Sequence, residues 1–225
     1  MKRQVSMEEI SDGKRYTLND MVKAGCGECK GCFECCKGMG NSVVLDPLDV
    51  HRIRIGLGKS FDQLLEEEKI ELQVVDGVIL PNLKMCGREE RCAFLNTEGR
   101  CAIHAFRPGI CRLFPLGRLY EEGGFHYFLQ IHECKNPNRT KVKVRKWIDT
   151  PEPGRYDRFI TDWHYFLKDI QERLLKEEDG TEAKRVNMML LQRFFVTAFT
   201  EEEDFYGQFD ERIKEMNRIL MNGGR

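Results

Sequence analysis

Five cysteines fall within eleven residues near the start of this 225-residue chain, and this cluster constrains the fold more than any other feature. The run from Cys29 to Cys36 reads CKGCFECC, and Cys26 lies three residues before it. Lysine, glycine and glutamate separate most of the sulfurs, so the segment has little apolar surface to bury. Something other than a hydrophobic core must therefore shape this loop.

The spacing of these cysteines favours a metal site. A C-x-x-C step lets one tight loop direct two sulfurs at one metal, and thiolates bind zinc, Cu(I) and iron–sulfur clusters. Three consecutive steps exceed the needs of one four-coordinate zinc, but they can supply three corners of a 4Fe–4S cluster. A redox-active dithiol is the main alternative, because C-x-x-C pairs also exchange with disulfides. Five thiols packed so closely favour the metal.

A second, scattered group of cysteines follows. Its members are Cys86, Cys92, Cys101, Cys111 and Cys134. For isolated cysteines such as Cys86 and Cys134, a ligand role and a buried apolar role both stay open. Adjacent Cys35 and Cys36 should point to opposite sides of an extended chain, so one of them could face this second group. The pattern predicts either two metal sites or one site with additional structural thiols.

Composition excludes several functional classes. The N-terminus lacks the apolar segment of a secretory signal, and no run of eighteen apolar residues predicts a membrane span. We therefore expect a cytoplasmic protein whose ten cysteines are not a disulfide framework. The formal net charge of -1 gives no reason to expect a nucleic-acid or membrane partner. The basic stretch from Lys135 to Lys146 predicts an edge strand whose charged side chains prevent pairing with other chains.

Local patterns predict an α+β fold. Asp46 with Pro47, and Ser60 with Gln63, mark the starts of helices that extend to about residues 58 and 70. Turn residues between β-rich runs predict hairpins, and apolar stripes at three- and four-residue steps predict helices. The predicted hairpins cover 72–80, 92–104 and 117–131, one helical turn covers 107–112, and the later helices cover 155–174, 188–198 and 205–220.

The chain divides at the Pro- and Gly-rich segment 150–154, and all ten cysteines lie before it. We predict a cysteine-cluster metal-binding domain over residues 1–150, with its core at 26–134. Residues 151–225 should form a helical region that packs on this domain.

Together these motifs resemble the CxxCxxCC cysteine-cluster family over about residues 29–134. The resemblance rests on CKGCFECC, on the CAFL that begins at Cys92, and on CAIHAFRPGICRLFP over 101–115. Members are described as zinc- or iron-chelating proteins or as iron–sulfur-cluster proteins, and the flagellin lysine N-methylases are among them. The resemblance implies metal chelation and leaves the biological role open.

The resemblance also implies a set of metal ligands. Its core members are Cys29, Cys32, Cys35, Cys36, Cys92, Cys101 and Cys111. Cys86 lies where some members have a further cysteine, and Cys134 follows a region where members often carry another. Asp49 matches an acidic position early in the first helix of the family, whereas Cys26 is additional to the family pattern and is left out of the ligand set.

Two other features stay open between structural and functional roles. Arg107 and Arg112 bracket Cys111, and they either hold the turn in place or offset the negative charge of nearby thiolates. His132 and Cys134 share one face if they lie on a strand, but a packed or solvated histidine is favoured over a ligand.

Three functional hypotheses follow. The first is a metal-binding protein with an iron–sulfur cluster, 4Fe–4S in preference to zinc. The second is a cluster-dependent enzyme related to the lysine N-methylases, although no site for S-adenosylmethionine is recognisable. The third is a zinc-stabilised module that uses its helices to hold a partner. A protein partner or protein substrate is compatible with each hypothesis.

Overall fold

The computed structural model describes residues 6–27, 32–176 and 180–222. Short helices and small antiparallel sheets come first along the chain, and long helices follow. The predicted α+β class is therefore confirmed. None of the described helices is long and apolar enough to cross a membrane.

The helices are α1 (Met7–Ile10), α2 (Pro47–Leu57), α3 (Phe61–Glu66), α4 (Gly109–Leu113), α5 (Val144–Ile148), α6 (Pro153–Leu174), α7 (Thr181–Leu191) and α8 (Phe205–Asn222). The strands are β1 (Met21–Gly25), β2 (Ile70–Val75), β3 (Val78–Leu83), β4 (Met85–Cys86), β5 (Arg91–Cys92), β6 (Leu116–Glu121), β7 (Gly124–Leu129) and β8 (Thr140–Lys143). All pairings are antiparallel and two-stranded: β1 with β8, β2 with β3, β4 with β5, and β6 with β7.

Capping residues begin α2 and α3 where the sequence predicts. The Asp46 carboxylate accepts the Asp49 backbone N–H, and Asp49 returns the bond to the backbone of Asp46. Gly58 ends α2 in the left-handed region at φ 63°. Helix α3 is shorter than expected: it ends at Glu66, because the chain already enters β2 at Ile70.

Two of the three predicted hairpins are confirmed, namely β2–β3 and β6–β7. In the first, Asp76 and Gly77 both have positive φ, as a two-residue turn of this kind requires. The hairpin predicted over 92–104 is confirmed only around its turn, where Leu95 and Cys101 form one antiparallel bridge and the Ala102 N–H donates to the Phe94 carbonyl. Cys92 pairs instead with Met85 in β4–β5, and beyond the bridge the chain turns into a 3-10 helix, His104–Phe106.

The long helices enclose an aromatic core. The Trp163 and Phe194 rings lie 5.1 Å apart, and those of Phe159 and Phe209 lie 4.6 Å apart, all four residues being buried. This packing confirms the predicted apolar stripes of α6 and α8. The helix predicted over 188–198 instead begins at Thr181 and ends at Leu191, and Met188, assigned to its apolar stripe, is exposed. Helix α7 passes into a π turn, Gln192–Val196, whose wider ring leaves carbonyls to be satisfied from outside the helix.

Helix α2 contacts this helical region directly. The Arg54 guanidinium donates to the carbonyl oxygens of Phe195 and Val196 in the π turn, at 3.3 Å each. One turn earlier on α2, the His51 ring stacks on Phe205 with centroids 5.2 Å apart. Helix α2 therefore lies between the long helices and the cysteine-bearing part of the chain.

Candidate metal centre

The loop that carries adjacent Cys35 and Cys36 ends in a 3-10 turn, Glu34–Cys36. The backbone N–H of Cys36 donates to the Phe33 carbonyl at 2.9 Å. We expected the two thiols to diverge, but they share a hydrogen bond, because the tight turn brings neighbouring side chains together. This bond lowers the pKa of Cys35 to about 7 and raises that of Cys36 above its usual range.

The same loop docks on the β4–β5 hairpin. Gly38 donates its N–H to the Glu90 carbonyl at 3.0 Å, and Lys37 pairs with Glu89 at 3.1 Å. Strand β5 carries Cys92, which is buried with 8% of its surface exposed. Docking therefore brings the first cysteine group next to the second.

A close aromatic contact fixes the loop on its other side. The Phe33 ring packs over Gly99, where an added Cβ would lie 2.7 Å from ring carbons. Gly99 also has φ +71°, which side chains with a Cβ rarely adopt. Only glycine combines this turn with this contact, so Gly99 sets how closely the loop approaches the bridge at Leu95 and Cys101.

Helix α2 supports the segment that carries Cys101 and Cys111. The Phe106 ring lies against Gly56, where an added Cβ would be 2.6 Å from the ring. The buried Asp49 carboxylate accepts the Gly109 N–H at 2.7 Å and so holds the start of α4. Cys111 follows two residues later, and its position therefore depends on α2.

Five thiols lie near enough to one another to influence each other's pKa. Burial raises the pKa of Cys92, Cys101 and Cys111, and neighbouring thiols raise each of these pKa values further. Cys35 contributes to all three shifts, and Cys92 and Cys111 contribute to the raised pKa of Cys36. These thiols come from the 3-10 turn, β5, the bridge and α4, and we call the group the thiol pocket: Cys35, Cys36, Cys92, Cys101, Cys111.

The remaining predicted ligands lie at the edge of the thiol pocket or outside the described residues. Cys86 is exposed on β4, and its charge contributes to the raised pKa of Cys92. Glu34 and, more weakly, Cys32 raise the pKa of Lys135, the residue after half-buried Cys134. The Lys135 ammonium lies 2.9 Å from the Glu34 carboxylate, so this segment borders the cysteine loop. Cys29 lies outside the described residues.

The donor chemistry of the thiol pocket fits a thiophilic metal. All nine described cysteines are free thiols, and Cys92 and Cys111 carry pKa values that burial raises. A bound cation would displace these protons and offset the desolvation of the thiolates. Among 6–27, 32–176 and 180–222, no three His, Cys, Asp or Glu side chains are already placed to hold one ion. The ligand set therefore stays a prediction.

Behind α4 lies a buried polar cluster that sequence reasoning missed. Arg118 donates to the Tyr156 hydroxyl at 3.1 Å, and that hydroxyl occupies the space where a side chain on residue 109 would lie. The Tyr127 hydroxyl donates to Asp157 at 2.5 Å. The one available signal was an arginine inside a predicted strand, because a charge in such a position needs buried partners.

Comparison with known families matches the cysteine-bearing part of the chain. The profile of the CxxCxxCC family, described as a "putative zinc- or iron-chelating domain", matches residues 28–141, about half of the chain. The matched segment contains every cysteine of the predicted ligand set. Neither the curated proteins nor the solved structures include a significant match. This cysteine-rich, metal-binding chain belongs to the CxxCxxCC family.

Proposed function

We propose that the protein carries an iron–sulfur cluster, of the 4Fe–4S type, in the thiol pocket. The convergence of thiols from the 3-10 turn, β5, the bridge and α4 is the observation that carries this proposal. One structural zinc would need only four donors, whereas the thiol pocket alone supplies five and its edge supplies more. A cluster at this position would either transfer single electrons or only hold distant segments of the chain together.

The proposed inner ligands comprise one thiol from each of the four segments that bring thiols together. They are Cys35, Cys92, Cys101 and Cys111. Cys36 is hydrogen-bonded to Cys35 and would serve as the alternative fifth donor. The remaining predicted ligands, Cys29, Cys32, Cys86 and Cys134, would then border the centre or belong to a second one.

The proposal includes a reducing compartment, which we take to be the cytoplasm. Its support is that all nine described cysteines are free thiols. Oxidising compartments would convert closely spaced thiols into disulfides.

Anaerobic purification followed by iron, sulfide and zinc analysis tests the cluster directly. We expect iron and acid-labile sulfide in equal amounts, with broad visible absorption that dithionite bleaches. The Cys111→Ala variant should lose both, whereas Cys26→Ala is a matched control that should keep them. Stoichiometric zinc without iron would overturn the cluster and would favour the zinc-stabilised interaction module instead.

A further inference from the structure

The two arginines that bracket Cys111 have different surroundings. Arg112 is buried, and its guanidinium donates to three backbone carbonyls: those of Arg107 at 3.1 Å, Asp149 at 3.0 Å and Ala105 at 2.6 Å. Two of these bonds close the turn that leads into α4, and the third joins α4 to the end of α5. Arg112 therefore holds backbone segments together, which is the structural one of its two possible roles.

Arg107 has no comparable set of backbone bonds among the described residues. Its Nη1 lies 2.9 Å from the His104 ring nitrogen Nε2. Its Nε is buried and has no hydrogen-bond partner within the described part of the chain. A buried guanidinium nitrogen without a partner is costly unless a nearby negative charge compensates for it.

Thiolates of the thiol pocket are the candidates for that negative charge. Arg107 ends the 3-10 helix His104–Phe106, and α4 begins two residues later, so Arg107 lies on the turn that leads from Cys101 to Cys111. Its buried Nε thus lies between the segments that carry two of the predicted ligands.

We propose that Arg107 is the charge-compensating residue of the metal centre, holding its anionic thiolates through its cation while Arg112 holds the backbone. This inference rests on the proposed function. Four thiolates around one metal leave net negative charge in a half-buried pocket, and a fixed guanidinium beside them lowers the free energy of that state. Guanidinium stays protonated under all working conditions, so the compensation does not depend on pH.

Competition between the protein and a chromophoric chelator for Co²⁺ tests this role. We expect Arg107→Gln to bind Co²⁺ about 10–100-fold more weakly than the wild type, the range typical of residues just outside the ligand set. Arg107→Lys keeps the charge and should recover to within about threefold. Arg145→Gln removes an exposed cation from α5 and is the matched control, with a change of less than about twofold.

The Co²⁺ absorption spectrum separates a charge effect from a structural one. At saturating Co²⁺ the Arg107→Gln spectrum should match that of the wild type, because the thiolate ligands are unchanged. Equal affinity of Arg107→Gln and wild type, an altered spectrum, or failure of lysine to restore binding would each overturn the role of Arg107. Wild-type protein that takes up neither Co²⁺ nor iron would instead overturn the proposed metal centre itself.

Discussion

The thiol pocket and the C-terminal aromatic core bury their side chains for different reasons. The aromatic core joins long helices through rings such as Trp163 and Phe194, and burial of apolar surface alone stabilises such an arrangement. The thiol pocket joins a 3-10 turn, a two-residue strand and a five-residue helix, none of which is stable by itself. The aromatic core is therefore stabilised by its own apolar surface, and the thiol pocket needs an additional interaction such as metal ligation.

Removal of the metal should have the largest effect, and it should destabilise the thiol pocket without destabilising the aromatic core. Binding of a structural metal contributes on the order of 10 kcal/mol to the region that holds it. After anaerobic chelation, we expect amide exchange to accelerate strongly in residues 32–38, 85–92 and 101–113, measured by hydrogen exchange with mass spectrometry. Exchange in the central turns of α6 and α8 should stay the same. Equal acceleration in both regions would show that the aromatic core also depends on the metal.

Truncation of the aromatic core should give the next largest effect. Trp163→Ala leaves a cavity among Phe166, Phe194 and Phe195, and its expected cost is about 3–5 kcal/mol in the free energy of unfolding. Denaturant unfolding followed by circular dichroism measures this loss. Met188→Ala, on the same helical region but 62% exposed, should change stability by less than about 0.5 kcal/mol. A loss that appears only when metal is present would contradict the independence of the aromatic core.

Loss of the hydrogen bond between Asp49 of α2 and Gly109 of α4 should have the third largest effect. Asp49→Ala leaves the buried Gly109 N–H without its acceptor, at an expected cost of about 1–3 kcal/mol. Because α4 would lose its anchor, metal affinity should fall as well, measured by chelator competition. Asp62→Ala, an exposed acid in the first turn of α3, is the control and should leave both quantities nearly unchanged. Unchanged affinity in Asp49→Ala would show that α4 positions Cys111 without α2.

Acidification should have the smallest of these effects. It should weaken the contact between α2 and the long helices. Burial, with the nearby cations Arg54 and Arg52, lowers the pKa of His51 to about 4. Because an unfolded histidine titrates near pH 6.5, the stability from neutral His51 is complete above that pH and declines as the pH falls toward 4. Allowing for partial exposure, we expect a loss of about 1 kcal/mol at pH 5.

Unfolding curves at pH 7 and pH 5 measure this loss. His51→Phe keeps an aromatic ring beside Phe205 and should reduce the dependence on pH, whereas His132→Phe, at an exposed position, should retain it. If the stability of His51→Phe depends on pH as strongly as that of the wild type, the titrating group is not His51.

The sequence predicted the aromatic core better than the thiol pocket, for a physical reason. Each long helix shows its own apolar stripe, so residues such as Phe159 and Trp163 could be assigned to the interior from spacing alone. The pairing of β1 with β8 joins Met21 to Lys143, and no local pattern indicates such a distant partner. Cys92 pairs with Met85 in place of the predicted hairpin partner for the same reason.

Motif resemblance predicted a set of thiol ligands, but it could not predict the directions of their side chains. Cys35 and Cys36 face each other because a 3-10 turn replaces the extended chain on which the prediction of divergence depended. The different surroundings of Arg107 and Arg112 likewise required side-chain contacts, because both have the same chemistry and lie in the same motif.

Helix α2 has one further consequence for the whole molecule. Asp49 near its start binds α4, and Arg54 near its end binds the π turn, so one helix of eleven residues is hydrogen-bonded to both regions. A displacement of one region relative to the other would break at least one of these hydrogen bonds. Helix α2 therefore couples the position of the π turn to the start of the helix that carries Cys111.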